Sequence, residues 1–235
     1  MGNIDCELPD ECAYLTAMAF NMRGDRSKDE DAFQAARERM VARQIEGRGV
    51  RDPRVLRALR RVPRHRFVEA EDVAEAYEDH PLPIGDGQTI SQPYIVGFMI
   101  EAMGLPDGAR VLEIGTGLGY QAAVMAEAGF EVFTIEIRPD LADRASTILA
   151  ATGYIGVNVR VGDGSYGWPE AAPFDGIIVA AAPDRLPEAL IDQLGPRGTL
   201  IIPVGVGEQA LWRYRRTPSG FQGEELFAVR FVPMK

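Results

Sequence analysis

Val111-Leu112-Glu113-Ile114-Gly115-Thr116-Gly117-Leu118-Gly119-Tyr120 reads as a short apolar strand that runs into a glycine turn and then a helix. Glycine lets the backbone turn tightly and lets a ligand approach the main chain. The helix start behind the turn offers unpaired N–H groups. Dinucleotide-binding sheets use a similar turn, but with the spacing G-x-G-x-x-G; here the spacing is G-x-G-x-G. Glu113 also closes the strand just before the turn. A carboxylate there would repel a pyrophosphate, whereas it would attract an ammonium or a sulfonium. Glu136 ends the next apolar run, 21 residues after Gly115, where an acidic residue can accept hydrogen bonds from ribose hydroxyls; a charge at the start of the following helix is the plainer alternative. Asp163, in Gly162-Asp163-Gly164, follows the third strand. It is either a turn aspartate or a group facing a ligand at the carboxyl edge of the sheet.

Working outward, the apolar runs Arg110–Ile114, Glu131–Ile135, Val157–Val161, Asp175–Ala181 and Thr199–Val204 read as strands. Helical patterns lie between them at Tyr120–Ala128, Pro139–Ala151 and Pro187–Leu194. This alternation predicts a doubly wound parallel sheet covered on both faces, an α/β fold. Ala210–Arg216 and Leu226–Val232, around Pro218-Ser219-Gly220, read as an antiparallel hairpin. Upstream, Phe33, Ala36, Met40 and Ile45 follow helical spacing, and Asp52-Pro53 starts a second helix as N-cap and N1 residue. Tyr77–Gln92 reads as a structured loop rich in Pro and Gly, and Pro93 opens a helix that Gly104 stops. The expected organisation is an extension over residues 1–30, a helical cap with its loop over 31–92, and a ligand-binding domain over 93–235.

The 235 residues are 46% hydrophobic and 26% charged, which excludes a disordered chain or a fibrous repeat. No apolar stretch approaches the ~20 residues that span a bilayer, and the acidic start does not resemble an export signal, so a cytoplasmic location is expected. The net charge of −10 is uneven. Residues 1–36 carry −5, residues 37–66 carry eleven Arg against three carboxylates, and the remainder carries −13. An Arg-rich segment invites a nucleic-acid or acidic-peptide reading; the alternative is a helical hairpin whose Arg residues pair with the chain's own carboxylates. Cys6 and Cys12 stand alone, with too few ligands for zinc, and no metal site is expected.

Several further motifs occur in order: Val62-Pro63-Arg64-His65-Arg66-Phe67, Tyr77-Glu78-Asp79, Pro81-Leu82-Pro83-Ile84-Gly85 and Gly87-Gln88-Thr89-Ile90-Ser91-Gln92-Pro93-Tyr94. Gly167-Trp168-Pro169, Pro173-Phe174-Asp175 and Ile202-Pro203-Val204-Gly205 follow the glycine turn. With that turn and Gly162-Asp163-Gly164, they make residues 35 to 232 resemble the protein-L-isoaspartate (D-aspartate) O-methyltransferase family of class I S-adenosylmethionine-dependent methyltransferases. The resemblance implies a Rossmann-like, seven-stranded, mostly parallel sheet with one antiparallel strand, capped by N-terminal helices. It implies methyl transfer from S-adenosyl-L-methionine, leaving S-adenosyl-L-homocysteine, to the free carboxylate of an L-isoaspartyl residue in damaged proteins or peptides. The ester then collapses to a succinimide.

By the same resemblance Ser91 is the active-site hydroxyl, with Thr89 and Ile90 beside it at the cofactor. Glu113, Gly115, Thr116, Gly117 and Gly119 line the methionine end, Glu136 the ribose, Asp163 and Gly164 the adenine, and Gln209 lies near the cofactor. Read from the residues alone, Ser91 before Gln92-Pro93 is instead a helix cap. His65 and Trp168 match family positions and also suit packing. The chain departs from the family at Leu118, where Ser is common, and at Ala180-Ala181-Ala182-Pro183, which lacks a frequent Thr. A carboxyl methyltransferase with a dedicated peptide substrate therefore stays open, ahead of an NAD-dependent oxidoreductase or a nucleic-acid binder. The expected partners are isoaspartyl peptides, with no nucleic acid or membrane, and a monomer is expected.

Overall fold

The computed structural model describes residues 29–234. The expectations for the extension, including Cys6, Cys12 and the patch at 12–20, lie outside the described residues. Helix α1 covers the described residues 29–40, then loosens into a π turn over Val41–Ile45 and a tight turn over Glu46–Arg48. Gly49, at φ 105°, closes it. Helix α2, Pro53–Arg61, starts as its sequence requires: Asp52 accepts a hydrogen bond from the Arg54 N–H, and Pro53 takes the N1 place. Helix α3, Pro93–Met103, ends at the left-handed Gly104. Within the expected loop between α2 and α3, a two-residue ribbon forms from β1, Leu82–Pro83, and β2, Thr89–Ile90.

The remainder forms one sheet. Its strands are β3 (Arg110–Ile114), β4 (Glu131–Glu136), β5 (Asn158–Val161), β6 (Phe174–Val179), β7 (Leu194–Val204), β8 (Gln209–Thr217) and β9 (Gly220–Val229). They lie in the order β5-β4-β3-β6-β7-β8-β9, and only β8 runs against its neighbours. This is the expected seven-stranded sheet with one antiparallel strand. Helices α4 (Tyr120–Glu127), α5 (Pro139–Ala151) and α6 (Glu188–Asp192) connect the parallel strands.

Alternate residues of each central strand face two cores. Val111, Val132, Ile178 and Ile201 face one side, in a cluster that also holds Ile45, Leu59 and Phe67 from the cap. Leu112, Phe133, Ile177 and Leu200 face the other. The cap thus shares a core with one face of the sheet, which fixes it against that face. Phe67 meets the ring of Tyr120 edge-on at 5.7 Å, tying the cap to the helix behind the glycine turn.

Several boundaries differ from expectation, two of them by more than three residues. Strand β7 opens at Leu194, the residue expected to close α6, five residues before the expected Thr199: Leu194 pairs with Phe174, and the ladder shifts register before Thr199 meets Gly176. Pro196 is tolerated because it sits in that bulge. Strand β9 starts at Gly220 rather than Leu226, since Thr217 pairs with Gly220 across a two-residue turn. Its first half is an exposed edge with no apolar alternation to announce it. No described helix is long and apolar enough to cross a membrane. No cluster of three or more metal-ligating side chains occurs among the described residues.

Candidate active site

The carboxyl ends of β3, β4 and β6 open into a cleft, concave and lined by both apolar and polar groups as small-molecule sites are. Its floor is the glycine turn. Gly115, at φ 96°, gives its N–H to the Ile135 carbonyl at 2.8 Å, and Ala180 N–H bonds Ile114 at 2.8 Å, so the turn is pinned between β4 and β6. Side chains are excluded nearby for a physical reason: a Cβ on Gly164 would stand 2.2 Å from Ile114 Cγ2.

Thr89, Ile90, Ser91, Glu113, Gly115, Thr116, Gly117, Glu136 and Gly164 all line this cleft. Glu136 is buried at the end of β4. Its Oε2 accepts from the Gly117 N–H at 2.8 Å and its Oε1 from the Arg138 N–H at 3.2 Å. A carboxylate has about four lone-pair sites, so each oxygen can accept once more.

Glu113 is fully buried. Its Oε2 accepts from the Thr134 hydroxyl at 2.6 Å, whereas its Oε1 has no partner. Burial pushes its carboxyl up to about 8; the Thr134 bond and the Gln121 amide oppose the rise, and the nearby Glu136 charge adds to it. The Thr116 hydroxyl turns to Thr134 at 2.6 Å rather than to open space.

Ser91 is half-buried on the rim, and no side chain caps the N-terminus of α3. The helix-cap reading of Ser91 therefore has no bond to support it. Over the rim, the Gly85-Asp86-Gly87 turn between β1 and β2 is tied down by an ion pair from Asp86 to Arg138, and Arg138 also lines the cleft.

Three named residues stand elsewhere. Gly119 packs on α5, where a Cβ would meet Leu149 Cγ at 3.1 Å. Asp163 accepts from the Ser165 N–H at 2.9 Å, a turn bond, and lines an adjoining groove between residues 163–166 and 183–189. Gln209 bonds the backbone of Phe231 twice, accepting from its N–H at 2.7 Å and donating to its carbonyl at 3.1 Å. Its amide is occupied by the chain itself. The clamp sets the course of Val232-Pro233-Met234, which pairs with Ala182 and lines the cleft.

The sequence reading passed over Thr134, Tyr120, Gln121 and Arg138. Thr134 had one usable signal: a hydroxyl in an otherwise apolar interior strand, level with Glu113. The registered pair Glu113↔Thr134 in the parallel ladder puts both on one face.

His65 stacks on Phe33 at 4.0 Å and bonds the Tyr77 hydroxyl at 2.8 Å, and Trp168 packs edge-on against Phe133 at 5.5 Å. Both are packing residues. Part of the Arg-rich segment is engaged by the chain's own carboxylates, although most of its Arg side chains stay exposed. Arg60 pairs with Glu38 and Glu46, Arg54 with Asp52 and Asp107, Arg48 with Asp79, and Arg61 with Glu127.

The parallel sheet, the pinned glycine turn and the two strand-end carboxylates define an S-adenosylmethionine-dependent methyltransferase. A profile of the protein-L-isoaspartate (D-aspartate) O-methyltransferase family matches residues 35–235, and the chain belongs to that family. A protein-L-isoaspartate O-methyltransferase of Gloeobacter violaceus is 55% identical over 197 residues, covering 83% of this chain and 96% of its own. One of Rhodopseudomonas palustris is 54% identical, covering 88% and 86%. A solved protein-L-isoaspartate O-methyltransferase superposes with a TM-score of 0.78 at 29% identity, over 85% of this chain and 66% of that one. A Plasmodium falciparum structure described as the same enzyme in complex with S-adenosyl-L-homocysteine superposes at 0.74 with 25% identity, over 85% and 98%.

Proposed function

We propose that this chain methylates the free carboxylate of L-isoaspartyl residues in damaged proteins and peptides, and so starts their return to aspartate through a succinimide. The carrying observation is Glu113, a buried carboxylate with one bare oxygen at the end of a glycine turn. That donor set fits S-adenosylmethionine, whose ammonium supplies the missing partner. It does not fit the pyrophosphate of a dinucleotide, which a carboxylate repels. Glu113 and the Gly115–Gly117 backbone hold the methionine end, Glu136 the ribose hydroxyls, and Gly164, with Asp163 from the adjoining groove, the adenine. Thr89 and Ile90 flank the cofactor.

When bound, the cofactor supplies an electrophilic methyl on a sulfonium. The residues around it have little proton chemistry to do. An aspartyl-type carboxylate, with an ordinary pKa near ~3.9, is already an anion at neutral pH and needs no general base. Neither histidine lines the cleft: His65 is held in the cap, and His80 bonds Pro81 and faces Glu75. What remains is alignment and exclusion of water, which can be worth up to ~7–11 kcal/mol. Ser91, on the β2–α3 rim, orients the incoming carboxylate by hydrogen bonding. The β1–β2 turn and the Val232–Met234 strap wall off solvent. A cytoplasmic monomer is the setting this reading implies, and two cysteines in the whole chain accord with a reducing compartment.

The test is labelled S-adenosylmethionine with matched peptides that contain isoaspartate or aspartate at one position. Label should enter the isoaspartyl peptide alone. Equal labelling of both, or none in the isoaspartyl peptide, overturns the reading.

A further inference from the structure

A threonine hydroxyl has one proton to give. Thr134 Oγ1 lies 2.6 Å from Glu113 Oε2 and 2.6 Å from Thr116 Oγ1. When Glu113 is ionised, Thr134 must donate to it, so Thr116 must donate to Thr134. Charge-assisted O–H···O⁻ bonds are typically ~2.5–2.7 Å long, and chained bonds polarise one another. Thr134 is fully buried and lies level with Glu113 in the ladder, so the arrangement has no slack.

The groups packed against Glu113 leave its charge uncompensated. Glu136 approaches from the end of β4, and its charge opposes ionisation of Glu113. Gln121 lies alongside on α4, a neutral amide that favours the Glu113 anion without supplying a charge and makes no hydrogen bond of ordinary geometry to it. Ile178 faces it from β6, and Thr116 and Thr134 are neutral. Among the described residues no cation pairs with Glu113. A buried carboxylate without a counter-charge costs several kcal/mol, and one such site persists where a ligand's cation completes it.

We propose that Thr134 is a positioning residue for the amino-acid end of the cofactor: its hydroxyl holds one oxygen of Glu113 and leaves the other bare for the ligand's ammonium. The inference rests on the placement of Glu113 at the methionine end. Thr134 touches no ligand itself and acts through the carboxylate.

The test compares Thr134→Val, which keeps the shape and removes the hydroxyl, with Thr134→Ser, which keeps the hydroxyl. Binding of S-adenosyl-L-homocysteine and of 5′-methylthioadenosine, which lacks the amino-acid portion, is titrated calorimetrically from about pH 6 to about pH 9. Thr134→Val should weaken S-adenosylhomocysteine by about tenfold or more and leave methylthioadenosine within about twofold. Loss of the bond removes support for the anion, so the pH at which S-adenosylhomocysteine affinity reaches half its plateau should move upward. Thr134→Ser should restore the wild-type value and midpoint. Unchanged S-adenosylhomocysteine binding in Thr134→Val, or equal loss of both ligands, overturns the proposal. Thr134→Ala, read against methylthioadenosine as the gauge of an intact cleft, serves if the valine variant does not fold. Glu113→Gln separates the two levels. If it weakens S-adenosylhomocysteine while Thr134→Val does not, only the role of Thr134 fails; if it binds like wild type, the placement of Glu113 fails with it.

Discussion

Arg60 in the cap and Glu113 under the glycine turn are both charged groups held by the fold, and the fold treats them in opposite ways. Arg60 is surrounded by its own chain: Nε pairs with Glu38 at 3.1 Å and Nη2 with Glu46 at 2.9 Å. Arg37 extends the same knot, donating to the Arg60 carbonyl at 2.6 Å. Glu113 has a neutral hydroxyl on one oxygen and nothing on the other. A satisfied charge at a surface contributes little beyond geometry, whereas an unsatisfied buried one costs free energy and persists where function requires it. Density of charge pointed to the Arg-rich cap; incompleteness of bonding points to the sheet edge. Arg64 shows that the contrast has an exception within the cap. It is fully buried, with Nη1 and Nη2 unpaired, and lies over the Tyr120 ring at 4.8 Å. Burial lowers its guanidinium to about 10.

The contrast breaks most readily at Glu136. Its two oxygens hold the turn and the start of the β4–α5 loop and remain able to accept from a ribose. Glu136→Ala should weaken S-adenosylhomocysteine by about two to four orders of magnitude, taking ~1.5–3 kcal/mol for each of two hydrogen bonds to a charged acceptor. Unchanged calorimetric affinity would refute the ribose placement. Ser91→Ala is expected to split the parameters the other way, lowering kcat about tenfold while S-adenosylhomocysteine affinity stays within about twofold. A loss of melting temperature with kcat preserved would return Ser91 to a role in folding.

How much of this was readable in advance depends on which force decides each element. Arg110–Ile114 and Pro139–Ala151 were bounded to the residue, because Gly115, Pro139 and the apolar periodicity are local signals. The edge strand β9 was not. Its pairing with β8 supplies what its exposed residues do not encode, and tertiary context overrides pattern there. Position along the chain, together with the family resemblance, picked out the residues of the cleft, because carboxyl ends of adjacent parallel strands converge. It could not say that Gln209 faces Phe231 or that Thr134 faces Glu113. Such contacts depend on register and on the tail's return, and neither leaves a periodicity.

Gln209 offers a subtler cut, since it shapes the cleft without lining it. Replacing it by Leu keeps the volume and removes both bonds to Phe231. The strap of Val232–Met234 would loosen, and kcat/KM for the isoaspartyl peptide should fall several-fold, with a smaller change in S-adenosylhomocysteine affinity. Direct contact with the cofactor would reverse that order, which parallel kinetics and calorimetry would detect.

The smallest effect belongs to the cap. Arg60 keeps about a third of its side chain exposed, and its partners Glu38 and Glu46 about half, so each pair is worth roughly 0–1 kcal/mol. Losing both pairs costs up to about 2 kcal/mol, so Arg60→Ala should lower the melting temperature by no more than about 4–8 °C, at ~2–4 °C per kcal/mol for a chain of this size. Cofactor affinity should not move, because the bonds lost lie within the cap. The informative number is the peptide KM. If the eleven Arg residues of 37–66 exist to pair with neighbouring carboxylates, KM stays within about twofold at low salt. If their excess positive charge draws the anionic isoaspartyl chain to the cleft, KM rises and the rise fades as salt screens it. Charge reversal, Arg60→Glu, amplifies that difference: repulsion from Glu38 and Glu46 adds to the stability loss in either case, but only steering makes the KM change depend on salt.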